Sequence, residues 1–262
     1  MPTTYTHQRF GSECLAALPE ERREAVQRYR ELYDTGVHGP DILFYYHPVC
    51  PNRVTSYGSA LHRRSAREFF TRARLPWMTH HDKDAMLSYL LGFLSHFALD
   101  SACHGYVNSA GPELGVSHNR LEAVYDACLM RRDGLVPTQV MRGAALEPTP
   151  ENAEVVARFF DLPRQKVLSA MRGQEMVMRL LYSPDGRRKR ALRGVLRTLH
   201  IPGHLDDIFI DDEIPPELCG AMDKLDALSA AALAEYPDMA RSLADFLDGR
   251  GELSARFDRD FE

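Results

Sequence analysis

Hydrophobic and polar positions divide the chain into a series of helical stretches with one dominant apolar segment. Residues 89–108 (YLLGFLSHFALDSACHGYVN) are almost wholly apolar around His96, Asp100 and His104, which are spaced four and four apart. On an α-helix each step of four advances about 40° around the axis and about 6 Å along it, so these three side chains share one face. The segment predicts a buried helix over residues 82–107 that carries two imidazoles and a carboxylate. Burying such groups without partners is expensive, so they need opposite charges, hydrogen bonds or a metal. Among the common metals, this donor set suits zinc.

The same reading predicts further helices on both sides. One spans 18–34, with Pro19 and acids at its start. Another spans 59–74, with His62 in its first turn and Pro76 and Trp77 ending it. A third, 118–132, has Leu121, Val124, Tyr125 and Cys128 as its apolar side. Residues 1–11 read as extended or loop, with His7 in the middle. Gly36, Gly39 and Pro40 mark a turn that places Asp41 just before an aromatic cluster. Beyond Asp133 a loop-rich connection (Gly134, Pro137, Pro148, Pro150) leads to helices at 150–160, 163–172 or longer, 187–198, 218–235 and 237–248. Residues 204–217 are acidic and contain prolines, which predicts an exposed loop. Strand signals are confined to 42–46 and 207–210. The expected fold is all-α: a single multi-helix domain over 1–262, with a zinc cluster between core helices and residues 133–262 supplying the completing helices.

Composition narrows the function. The chain of 262 residues is 44% apolar and 26% charged, ample for a globular core. A formal charge of −5 argues against nucleic-acid binding by bulk electrostatics, so no stable nucleic-acid partner is expected. The first residues show no secretory pattern and no apolar run reaches a membrane span. The five cysteines include no CxxC pair, which fits reduced thiols in a cytoplasm. The basic run Arg187–Arg190 has two readings, a contact with anionic lipid or phosphate and a solvated helix start. Phe69, Phe70 and Trp77 read as packing or as a cleft wall. His47, His80 and His81 read as surface or packing residues, and His200 and His204 as loop.

A second pair of donors follows the first set. His118 and Glu122 are again four apart, and a loop containing Gly105, Gly111, Pro112 and Gly115 would turn the two helices toward each other. One tetrahedral zinc cannot use all five donors and stay open to water, so the set argues for two ions.

On these residues the chain resembles the zinc-dependent phospholipase C family of bacteria, whose helical fold is shared with single-strand-specific zinc nucleases. The family's central motif is matched by His96, Asp100 and His104, followed by His118 and Glu122. His7, Asp41 in the Gly-Pro-Asp turn and His62 in GSALHRR match its remaining positions in order. Gly105 stands where many members have proline. The resemblance implies one ion at His62, His96 and Asp100, with Asp41 nearby as ligand or base. It implies a second at His104, His118 and Glu122, and a third at His7 that shares Asp100. With Met1 and Pro2 ahead of it and no leader, the third ion is expected to be the weakest, completed by water, His38 or another side chain. The implied activity is phosphodiester hydrolysis by zinc-activated water, with phospholipid or another phosphodiester as substrate and a peripheral membrane contact. The rival readings are a nuclease or phosphomonoesterase on the same site, and a zinc-binding protein without turnover.

Overall fold

A computed structural model describes residues 4–48, 50–143, 145–198 and 207–262; these form helices and their connections, with no strand. The α-helices are α1 (Thr4–Ala17), α2 (Glu20–Arg28), α3 (Arg30–Gly36), α4 (Arg53–His62), α5 (Ala66–Thr79), α6 (Lys83–Leu114), α7 (His118–Arg132), α8 (Pro150–Phe160), α9 (Arg164–Leu181), α10 (Arg187–Thr198) and α11 (Cys219–Leu247).

Helix α6 is the axis of the molecule. The Asp82 side chain caps its start by accepting from the Ala85 N–H, and Gly115, in the left-handed region at φ 69°, ends it. Leu90, Leu91, Phe93, Leu94 and Phe97 are fully buried. Each such side chain stabilises the fold by roughly 1.5–3 kcal/mol, so together they offset the cost of holding polar groups on the same helix. Helices α1, α2, α3, α7 and α11 pack around α6. Phe69 of α5 stacks on Phe93 at 3.9 Å between ring centres.

Helices α3 and α6 approach each other closely. A methyl added at Gly36 would lie 2.2 Å from the Tyr89 carbonyl oxygen, and one at Gly92 would lie 2.1 Å from that of Tyr33. Backbone therefore meets backbone, and the turn that follows α3 is pressed onto α6 at the level of His96. At the other end of the chain, a short 3-10 helix (Ala255–Asp258) leads to Phe261, whose buried ring lies 5.0 Å from that of Phe97.

Several expectations from the sequence need correction. Residues 4–11 are not extended; they belong to α1. The stretch 18–34 is two helices, broken at Tyr29, where φ is −132°. The stretch 59–74 is also two helices, so His62 is the last residue of α4 and not an early residue of the next one. Pro76 does not end α5, and Pro237 does not divide α11; both lie inside their helices. Gly105, Gly111 and Pro112 are likewise helical, because α6 runs to Leu114. Residues 42–46 lie in and just after a 3-10 helix (Gly39–Tyr45), and 207–210 form turns. Within 204–217, Phe209 and Ile210 are buried and not exposed. Phe69, Phe70 and Trp77 are packing residues of the core. Helix α6 is, after all, long and apolar enough to cross a membrane by length and composition, but 83% of its most apolar window is buried among the other helices. The cysteines are free. Met1, Pro2, His200 and His204 lie outside the described residues.

Candidate metal centre

The eight predicted site residues come together from five places in the chain. His96, Asp100 and His104 face inward from α6. His118 and Glu122 face them from the first turns of α7, where Ser117 caps the helix by accepting from the Arg120 N–H. His62 arrives at the end of α4, Asp41 from the 3-10 turn and His7 from α1.

Their donor atoms form three groups: Asp41, His62 and His96; His7, His96 and Asp100; and His104, His118 and Glu122. In the first, His62 Nε2 lies 3.0 Å from Asp41 Oδ1. In the second, His7 Nε2 is 3.1 Å from Asp100 Oδ1, and the His7 and His96 rings stack at 4.2 Å. In the third, His104 Nε2 and His118 Nε2 approach the same oxygen, Glu122 Oε1, at 3.2 and 3.0 Å. Asp100 Oδ1 also lies 3.6 Å from His104 Nε2, which links the second group to the third. The resemblance implies His62, His96 and Asp100 around one ion with Asp41 nearby, and His7 sharing Asp100 at another; the side chains group as Asp41 with His62 and His96, and Asp100 with His7 and His96.

The far side of each ring explains the orientation. His62 Nδ1 bonds to the Gly58 carbonyl at 2.9 Å, His96 Nδ1 to that of Val37 at 3.2 Å and His104 Nδ1 to that of Phe261 at 2.8 Å. His118 Nδ1 bonds to Asn108 Oδ1 at 2.8 Å. A carbonyl only accepts, so these Nδ1 atoms carry a proton and turn Nε2 toward the cluster, where it is the nitrogen left to meet a metal. This arrangement is typical of metal-binding histidines. His96 Nε2 is buried 2.9 Å from Asp100 Oδ2 without the alignment of a hydrogen bond. Zinc fits this donor set, because neutral imidazoles and carboxylates are the ligands it takes.

The protonation balance is consistent. Burial would raise the carboxyls of Asp41, Asp100 and Glu122, yet all three are held below their usual range. Positive charge around each outweighs burial; for Asp100 it comes from His104, His96 and His7, and the imidazoles of His62 at Asp41 and of His104 and His118 at Glu122 add hydrogen bonds. Burial lowers His104, but the charge of Asp100 and the bond to Glu122 outweigh it and push the imidazole up to about 9. Burial, helped by His96, lowers His7. His38 is buried with its Nδ1 at 3.0 Å from the Gln174 side-chain amide, and burial followed by repulsion from His7 and His96 pushes it down to about 3.

A cleft of about 290 Å³ opens over the groups, lined by Asp41, His62, His104 and His118 together with Phe44, Ser59, Arg63, Asn108 and Glu262. The supporting residues escape sequence reasoning. Asn108, Phe261 and the carbonyls of Val37 and Gly58 show no spacing that marks them. Asp126 is another such residue. From α7 it accepts the Thr6 N–H at 2.8 Å and the Thr6 hydroxyl at 2.7 Å, and so caps the start of the helix that carries His7. Burial pushes this carboxyl up to about 6, only partly offset by Arg142 at 3.9 Å.

Fold and site together define an all-helical protein with clustered side chains that could hold metal ions. Residues 6–167, more than half of the chain, match the family model described as zinc dependent phospholipase C, and the chain belongs to that family. All eight predicted site residues lie within the matched span. Comparisons with curated proteins and with solved structures return no significant match.

Proposed function

We propose that the protein is a zinc-dependent phosphodiester hydrolase of phospholipase C type. The observation that carries this is the convergence of Nε2 and carboxylate atoms into three adjoining groups, with Nδ1 of four rings held from behind, at the floor of an open cleft. In this reading Asp41, His62 and His96 hold one ion and His104, His118 and Glu122 a second. His7 and Asp100 hold a third and share His96. When bound, zinc supplies Lewis acidity, which lowers the pKa of water and polarises a phosphoryl oxygen.

The chain's own contribution is positioning and proton handling. Asp41 stays ionised at neutral pH and lines the cleft, where its carboxylate is placed to orient the attacking water. His62 fixes that carboxylate from one side. Asn108 and Phe261 keep His118 and His104 from rotating, so these two rings of the cleft lining are held in place. Phe44 and Arg63 in the same lining suit a phosphodiester with an organic substituent.

An open cleft above the groups supports turnover over storage. A nuclease would need stacking platforms along a basic groove, and among the described residues this cleft is lined by one Phe and one Arg, with the acid Glu262 beside them. Residues from Phe10 to Phe261 share one hydrophobic core, which supports reading 1–262 as a single domain. The test is Asp41→Asn, assayed on nitrophenyl-phosphocholine and on phospholipid dispersed in detergent. The variant should keep its fold and at least the zinc of the His104 group while losing nearly all turnover. Turnover at the wild-type rate would remove Asp41 from the mechanism.

A further inference from the structure

The metal centre makes no use of the most strongly charged element on the surface. Helix α10 (RRKRALRGVLRT) contains six basic residues and no acid in a chain whose formal charge is −5. Two of the six point inward. Lys189 bonds to the Asp211 carboxylate and to the Ile210 carbonyl, and the Arg193 guanidinium sits 5.5 Å from the centre of the Phe209 ring. Asp211 also pairs with Arg120 of α7 at 3.0 Å. One carboxylate therefore bolts α10 to the helix that presents His118 and Glu122, and Arg120 lies two residues from each.

The outer face is different. Arg187 and Arg190 are exposed, and the nearest acid to Arg187 is the exposed Asp185 at 3.8 Å, a pairing that water screens. Exposed aliphatic side chains flank these cations: Val195 on α10 (53% exposed) and Leu180 at the end of α9 (46%). Arg188 bonds to the Arg179 and Tyr182 carbonyls, which holds the start of α10 against the end of α9.

We infer that the outer face of α10, with Val195 on it and Leu180 at the adjoining end of α9, is a docking surface for an anionic phospholipid bilayer. The cations complement lipid phosphates and carboxylates, and the aliphatic side chains can enter the boundary between headgroups and acyl chains. A nucleic acid would take the same cations but has no use for exposed aliphatics, and among the described residues the half-buried Tyr182 is the one accessible aromatic side chain near the patch, too few for a stacking platform. The inference extends the phospholipid reading of the site, and vesicle binding is measured separately from turnover so that either can fail alone.

The experiment is co-sedimentation of the full chain with vesicles of phosphatidylcholine, with and without phosphatidylserine, at low and high salt. Binding should require phosphatidylserine and weaken as salt rises. Arg187→Glu combined with Arg190→Glu should weaken binding at least about tenfold, since each basic residue near the surface contributes severalfold. Thermal unfolding and hydrolysis of soluble nitrophenyl-phosphocholine should not change. No binding, equal binding to both vesicle types, undiminished binding by the double variant, or tighter binding to a single-stranded oligonucleotide would each overturn the inference. Vesicle binding by a protein that hydrolyses no phosphodiester would instead overturn the proposed function and leave the docking surface standing.

Discussion

Gly39→Ala tests most directly how the turn and the core helix build the site. Gly39 has φ 52° and lies against the His96 ring; a methyl here would fall 2.2 Å from Cδ2 and 2.7 Å from Nε2 of that imidazole. Ordinary contact begins near 3.4 Å, so the nearest atom is about 1.2 Å too close. Neither side can yield easily. The ring is held by the Val37 carbonyl, and the turn is held by the backbone contact of α3 with α6. Left-handed backbone in a residue with a Cβ costs about 1–2 kcal/mol and overpacking about 1–3 kcal/mol, so the variant should lose about 2–5 kcal/mol of stability. Metal sites tolerate ligand shifts of only about 0.2 Å, well below the displacement required. His96 belongs to two of the three groups, so both should lose zinc while the His104 group keeps its own. Zinc per chain after desalting, together with thermal unfolding with and without chelator, reads out both effects. Gly105→Ala is the control: it lies beside His104 inside α6, an added methyl meets nothing within 4 Å, and the change should stabilise by about 0.5–1 kcal/mol. A Gly39→Ala protein with the full zinc complement and the wild-type melting temperature would refute the account of how His96 is placed.

Three other outcomes follow from the same geometry. Phe261→Ala should cost about 3–5 kcal/mol and loosen zinc at the His104 group by about 10–100-fold, while Phe261→Leu keeps most of both; unfolding and competitive chelation measure them. His7→Ala should remove one zinc and spare the His104–His118–Glu122 ion, so an unchanged zinc count would exclude His7 as a ligand. Chelated protein should lose stability as pH rises from 6.5 through about 9, because the folded state holds the His104 proton more tightly than the unfolded chain, against burial, through Asp100 and Glu122. Zinc-loaded protein should show the opposite slope over that window, since its ligands must be deprotonated, and parallel slopes would contradict the assignment.

The parts of this protein that could be read from its sequence are those governed by local periodicity. His96, Asp100 and His104 stand out because three polar side chains recur at helical spacing in a segment otherwise too apolar to leave the core. His118 and Glu122 stand out for the same reason. Helix ends were harder to read. Pro76, Pro112 and Pro237 all look like breaks, yet each is carried inside a longer helix. Tertiary packing can outweigh a lost hydrogen bond, and no local pattern reports it. Residues 4–11 lack a clean amphipathic repeat because α1 is buried on more than one side and capped by Asp126, which comes from 120 residues away.

The deeper limit concerns what holds the ligands in place. The donors of the metal groups are side chains and leave a trace in the sequence, but three of the four acceptors behind their imidazoles are main-chain carbonyls, which every residue has. Val37, Gly58 and Phe261 serve His96, His62 and His104 only because α3, α4 and the last turn of the chain end where they do. The case of Phe261 shows the scale: its carbonyl reaches His104 from 157 residues away, while its N–H holds the His62 carbonyl at 3.0 Å. A single residue near the end of the chain thus fixes one ligand in each of two groups, and its buried ring ties that bond to the packing of Phe97. Stability of the core and geometry of the metal groups are therefore coupled. Substitutions at the Phe261 ring should shift melting temperature and zinc affinity together, whereas substitutions at Asp41, on the cleft side, should separate turnover from stability.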